Sequence, residues 1–194
     1  LMKNINVTYS HFLLIWALTI VLSCFIGSKA FAADITEIDW EVLIPQDWNP
    51  NQAFEDMTDE EYYALSETEL VILEQSVQAM FDAAPVVEAF DGQQVRIPGF
   101  VLPLEFSGTL LKEFLLVPYF GACTHTPPPP ANQIIYGKLK TGTKFESIYL
   151  PVWITGTLTT TRSQSELTES GVANGVDVQS AYAMDVQLIE PYIE

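Results

Sequence analysis

Cys123 and His125 stand two residues apart, with Thr124 between them, in segment 117–136, VPYFGACTHTPPPPANQIIY. Thiolate and imidazole are both good ligands for zinc and copper. On an extended backbone, residues i and i+2 face the same way. Their Cβ atoms then lie about 6.5–7 Å apart, from a rise of about 3.3 Å per residue, and one ion can bridge that gap. Zinc is the expected metal, with Cu(I) as the alternative. Two donors do not complete a tetrahedral zinc site. Glu105 is the first candidate for a third, with Glu113 behind it; both also read as ordinary surface charge. Pro127, Pro128, Pro129 and Pro130 follow. Each fixes φ and lacks an N–H, so the four form a stiff polyproline segment that preorganises the loop. Asn132 and Gln133 supply amides that either orient a ligand or pin the loop.

Two other readings share these residues. Cys123 can be a small buried hydrophobe, with His125 bonded to backbone. The pair can also form a Cys–His nucleophile, but that needs an oriented base and an oxyanion site, and the sequence identifies neither. The segment lacks the doubled Cys spacing of a structural zinc site. The chain carries no Gly-rich phosphate loop and no Ser-centred elbow. No enzymatic activity is expected.

The opening of the chain gives these two side chains their setting. Lys3 precedes an apolar run over residues 12–26 (FLLIWALTIVLSCFI), which closes on Gly27, Ser28, Lys29 and then Ala30-Phe31-Ala32. That is the pattern of a secretory signal peptide, with cleavage expected after Ala32 and a periplasmic location. The run falls short of the roughly 20 residues that span a bilayer. Cys24 as a lipidation site is disfavoured, because Val21-Leu22-Ser23 is a poor lipobox. Removing residues 1–32 takes away Lys3, Lys29, Cys24 and His11. It leaves 162 residues (194 − 32) and a net charge of −19 (6 basic against 25 acidic). Cys123 is then the one thiol and His125 the one imidazole, and an internal disulfide is impossible. A lone cysteine in an oxidising compartment invites a chemical reason. No transmembrane segment is expected in the mature chain.

The charge narrows the classes of partner. With 8 Lys and Arg against 25 Asp and Glu, the net charge is −17 for the whole chain. Phosphate affinity depends on Lys and Arg, so a nucleic-acid partner is excluded, and an anionic lipid surface is disfavoured for the same reason.

Three parts are expected: residues 1–32 as the signal peptide, 33–92 as an acidic extension with two helices, and 93–194 as a β-domain. Between Asp34 and Gln94 there are 16 acids and no Lys or Arg. This reads as a solvated surface, with a cation-attracting or partner-facing patch as the sharper alternative. Residues 39–45 (DWEVLIP) read as an extended anchor burying Trp40 and Leu43. Thr58 with Glu61, and Ser66 with Glu69, have capping-box spacing. The second helix should turn Leu70, Leu73, Val77, Met80 and Phe81 to one face and end near Ala84. Strands are expected over 95–104, 113–119, 133–139, 152–160 and 181–189, with a polar loop over 163–179. Gly99 and Gly156 in mid-strand predict bulges or bends. Tyr119-Phe120-Gly121 reads as a turn. Trp40, Trp48, Trp153 and Phe120 read as core rather than as a ligand surface. The whole is mainly β with a helical segment (α+β): a five-stranded OB-like small barrel, with a β-sandwich as the alternative.

Three stretches together, 39–45 (DWEVLIP), 95–105 (VRIPGFVLPLE) and 114–133 (FLLVPYFGACTHTPPPPANQ), resemble the DUF3299 family of small exported bacterial proteins. The resemblance spans nearly the whole chain after residue 32. Members tend to occur beside transport components, some linked to zinc handling. The resemblance therefore implies a periplasmic accessory of a transport system, with a membrane transporter component as partner. It supplies no catalytic assignment. The remaining function class is a metal-free, OB-like adaptor.

Overall fold

Strict alternation sets the first long strand. In β2 (Gln94–Ser107), Val95, Ile97 and Val101 are fully buried while Arg96, Pro98 and Phe100 are half-buried between them. The computed structural model describes residues 34–49, 51–122, 128–167 and 176–192. Within these, β3 (Leu110–Val117), β4 (Ile135–Lys144), β5 (Val152–Thr159) and β8 (Tyr182–Pro191) join β2 in the closed order β2-β3-β4-β8-β5-β2. All pairs are antiparallel except β4 with β8, which is parallel. The result is the five-stranded small barrel read from the sequence, with each expected strand in place.

The glycines bend it where expected. β2 pairs with β5 as far as Gly99, opposite Val152, and with β3 from Phe100, opposite Val117. Gly99 is thus the corner where the strand changes partner. A Cβ there would lie 2.8 Å from the Val117 carbonyl oxygen and 2.9 Å from the Leu116 side chain, a space that no other residue fits. At Gly156 the β5–β8 register slips by one residue, leaving Gln187 as the bulge on β8.

The sheet is buried on both faces where β2, β3 and β4 meet. Phe114 and Leu116 belong to the interior, with Ile97, Ile135, Ile154, Leu158 and Met184. Their neighbours Leu115 and Val117 face the other way and join Leu102, Ala122, Ile134 and Val178 in an outer cluster. Val178 arrives on a feature the sequence reading missed. Part of the expected polar loop over 163–179 is an antiparallel ribbon of β6 (Ser163–Leu167) and β7 (Val176–Ser180). Its composition is polar because a two-stranded ribbon on the surface buries one row only: Val178 and Ser180 are covered, whereas Asp177 is exposed.

The N-terminal anchor also differs from expectation. Trp40 and Leu43 are buried as predicted, but the segment is a 3-10 turn over Trp40–Leu43 and not an extended strand. An extended chain would send residues i and i+3 to opposite faces; at three residues per turn they eclipse, so both reach the core. Ahead of the turn, β1 (Thr36–Glu37) pairs in parallel with Val95 and Arg96.

Three helices follow: α1 (Gln52–Glu55), α2 (Asp59–Ala64) and α3 (Glu67–Asp82). Both predicted capping boxes form. Thr58 Oγ1 accepts from the Glu61 amide at 3.2 Å, and Ser66 Oγ from the Glu69 amide at 3.4 Å. Each glutamate accepts the cap residue's own N–H at 2.8 Å. The hydrogen bonds to Thr58 backbone and to the Ser66 hydroxyl hold Glu61 and Glu69 below the usual carboxylate range. The apolar row Leu70, Leu73, Val77, Met80 and Phe81 is only half-buried, and α3 carries no fully buried residue. Beyond its last turn, Arg162 donates to the carbonyls of Asp82 (2.9 Å), Ala83 (3.3 Å) and Ala84 (2.5 Å). These are the carbonyls a helix end leaves unpaired and negative.

Candidate functional site

Cys123, His125 and Pro127 lie outside the described residues, so the predicted approach of thiol and imidazole lies outside them too. What is described is the frame on either side. On the entry side, Ala122 N donates to Tyr119 O at 3.4 Å, and Gly121 has φ 87°. This is a tight turn with the positive φ that a type II turn requires at its third position. The Tyr119-Phe120-Gly121 turn is as predicted. Ala122 is fully buried in the outer cluster with Leu102 and Leu115, so the turn folds the chain back over the outer face of β2 and β3.

On the exit side, Pro128 and Pro130 are half-buried and Pro129 is buried. Pro130 has φ −53° and ψ 146°, close to polyproline geometry. A 3-10 turn over Ala131–Gln133 then locks the chain down. Ala131 O accepts from Ala181 N at 2.7 Å. Asn132 is fully buried and its amide donates to Pro85 O at 2.9 Å. Gln133 donates to Trp40 O at 3.0 Å. Of the two roles read for these amides, pinning the loop is the one formed: they tie it to the N-terminal anchor and to the segment after α3. Asn132 Oδ1 is buried without a hydrogen-bond partner.

Tyr182 completes this clamp and was not singled out in the sequence. Its hydroxyl donates to Leu43 O at 3.0 Å and accepts from Val87 N at 2.7 Å. Burial pushes its phenol pKa up. A tyrosine opening an apolar strand gives no sign that it serves two distant backbone groups. Trp40 adds a bond from Nε1 to Pro98 O at 2.6 Å.

Glu105 and Glu113 are neighbours, paired across β2 and β3. Glu105 is exposed. Glu113 accepts from Lys138 Nζ at 2.6 Å and from the Tyr136 hydroxyl at 2.5 Å. These bonds, Lys138 first, hold Glu113 below the usual carboxylate range, and burial opposes them. Burial and then the Glu113 carboxylate push Tyr136 well above a normal phenol. Glu113 therefore belongs to a cross-strand network with its charge already met, while Glu105 makes no side-chain hydrogen bond or ion pair among the described residues. Five residues of β2 separate Glu105 from Phe100, about 16 Å. The six steps from Val117 to Cys123 reach at most about 20 Å.

The aromatic residues divide. Trp40 is buried, Trp48 packs on the core, and Trp153 is stacked by Tyr192 at 5.3 Å and by Arg96 at 4.2 Å. Phe120 is not core: it is 49% exposed, between Phe100 at 6.1 Å and Tyr149 at 5.2 Å. A residue at a turn beside the barrel end has no layer above it, which its type alone does not reveal.

OB-folds take ligands on the outer face of their second and third strands. Here that face belongs to β3 and β4, and the chain's own Val178 and Ala122 fill it. Among the described residues no group of three His, Cys, Asp or Glu converges on a metal-sized space. Nor is any described helix long and apolar enough to cross a membrane.

A family model described as a protein of unknown function, DUF3299, matches residues 40–191. The chain belongs to the DUF3299 family. The crystal structure of a DUF3299 family protein from Pseudomonas aeruginosa PAO1 is similar at 34% identity and a TM-score of 0.58. The match covers 82% of this chain and 97% of that one. No curated protein matches. In this DUF3299 protein, the family-matched region includes both the loop and the two segments that clamp it.

Proposed function

We propose that this protein is an exported, periplasmic accessory that binds a transition metal, zinc first, through Cys123 and His125, and serves a transport system. The observation that supports it is the anchoring of their loop. Ala122 and Asn132 on either side are fully buried, and between them the chain is stiffened by prolines. A loop restrained in this way loses little entropy when two donors are drawn to one ion. The donor set fits zinc or Cu(I) by its chemistry. Glu105, exposed and paired across the strands with Glu113, is the candidate third ligand. Zinc bound there would act as cargo or as a structural tie, and no reaction is assigned to it.

The test is a zinc titration of the purified protein against a chromophoric chelator. One zinc per chain is expected, with affinity falling about 100-fold in both Cys123→Ser and His125→Ala. Asn132→Ala removes an anchor and no ligand, so a loss of about tenfold or less is expected, as for supporting residues around a metal. Unchanged substoichiometric zinc in every form would remove the proposal.

A second reading is favoured by the exposed aromatic surface at Tyr119, Phe120 and Tyr149, next to the same loop. In it the protein is a metal-free, OB-like adaptor for a membrane transporter component. Co-purification with that component would then survive both ligand substitutions and fail when the proline loop is altered.

A further inference from the structure

β4 and β8 pair from Ile135 with Tyr182 to Leu139 with Val186, and there the ladder stops. β8 stays on β5 as far as Pro191, opposite Val152, while β4 ends at Lys144 and gives way to the connection over residues 145–151. That end of the barrel is therefore closed by side chains and not by a ladder. Among them is a cavity of about 180 Å³. Phe145, Val152 and Ile189 line it and pack against the core, so its floor is apolar. An apolar cavity of about 150 Å³ already admits benzene, so a phenyl or isobutyl group fits this one.

The charged residues that line the same cavity are of both signs: Lys144, Glu146 and Glu190. Lys144 and Glu146 are exposed and stand two residues apart, yet they make no ion pair or side-chain hydrogen bond with each other or with any other described residue. Glu190 lies 3.7 Å from Arg96, whose closer partner is Glu37 at 3.0 Å, so its charge is met only in part. An apolar floor with a few charged groups around it selects a ligand by its body and orients it by its charges. A neutral hydrocarbon would bring a partner to none of the three. A fatty acid would set its carboxylate beside two others, and a simple amine would set its ammonium beside Lys144. Within a polypeptide, the carbon that bears the side chain carries no charge. A free α-amino acid carries an ammonium and a carboxylate on that carbon, and so answers the floor and both signs together.

We propose that this cavity binds a free α-amino acid with a large apolar side chain, of the phenylalanine or leucine class. The side chain enters the floor, the ammonium is drawn to Glu146 and Glu190, and the carboxylate to Lys144. The proposal does not depend on Cys123 or His125.

The probe is L-phenylalanine, titrated into the ¹⁵N-labelled protein. Amide shifts are expected to concentrate at residues 144–150 and 187–190. L-Alanine, which lacks the apolar body, should bind about tenfold or more weakly. Phenethylamine lacks the carboxylate and 3-phenylpropanoate the ammonium, and each should bind a few-fold more weakly, as for charge pairs open to water. These comparisons use the unaltered protein, so they stand even where a variant folds poorly. Two variants then assign the charges. Lys144→Gln should weaken phenylalanine and leave phenethylamine unchanged, and Glu146→Gln should weaken phenylalanine and leave 3-phenylpropanoate no weaker. Shifts that are absent at about 10 mM phenylalanine, or that centre on Phe120, would overturn the proposal. So would either analogue binding as tightly as phenylalanine, or Lys144→Gln weakening phenethylamine as much as phenylalanine.

Discussion

The barrel and the helical arm are stabilised by opposite means. Phe114, Leu115 and Leu116 are consecutive in β3 and all buried, because the sheet there has apolar clusters on both faces. Across α2 and α3 no residue is fully buried, and Tyr63 and Ile72 are 83% and 60% exposed. What fixes the arm's helices is two local capping boxes and one tie from far along the chain, the Arg162 bonds beyond the end of α3. The loop that carries Cys123 and His125 is anchored to the first kind of structure and not to the second. Its clamps reach Trp40, Leu43 and Pro85, which bracket the arm in sequence. A change in the arm should therefore leave the loop's setting intact, whereas a change in the barrel should not.

The largest test of this contrast is Phe114→Ala. Emptying a fully buried aromatic site costs about 3–5 kcal/mol, and urea unfolding should show a loss of that size. Leu73→Ala on the half-buried face of α3 should cost within about 1 kcal/mol. If both lose the same amount, the arm is part of the core and the contrast fails.

A smaller effect is expected from pH. Glu113 is held below the usual carboxylate range by Lys138 and Tyr136. Its contribution is complete above the ordinary carboxylate pKa and is lost as pH falls through the lowered value. Glu113→Gln should flatten that acid limb of the stability curve. An unchanged limb would mean that the Glu113–Lys138–Tyr136 bonds add nothing to the barrel.

The smallest effect is Ser66→Ala. Loss of an N-cap removes about 1 kcal/mol of helix stability. Faster amide exchange is expected over the first turn of α3 with the global unfolding midpoint unmoved. A shifted midpoint would couple the arm to the barrel more tightly than its burial indicates.

Much of this architecture was legible beforehand. Alternation marks β2, short apolar runs mark the other barrel strands, and both capping boxes follow from a hydroxyl three residues ahead of a glutamate. Gly99 and Gly156 marked a corner and a bulge. The failures share one cause. Trp40 and Leu43 were correctly read as buried, yet apolar residues three apart suit a 3-10 turn as well as an anchor of another shape. The β6–β7 ribbon was hidden by its polar outer row, because the partner for Val178 lies on a strand far away in the sequence. The amides of Asn132 and Gln133 were recognisable as loop ties, but the carbonyls they meet are 47 and 93 residues away.

The sequence by itself determined where the strands lie, the caps of α2 and α3, the acidic balance and the spacing of Cys123 from His125. These depend on neighbours within a few residues, or on simple counts. Tertiary structure alone decided where β4 and β8 part, which face β7 covers and which carbonyls receive the loop's amides. Those outcomes depend on the register of strands brought together by closure, and no local propensity encodes that register.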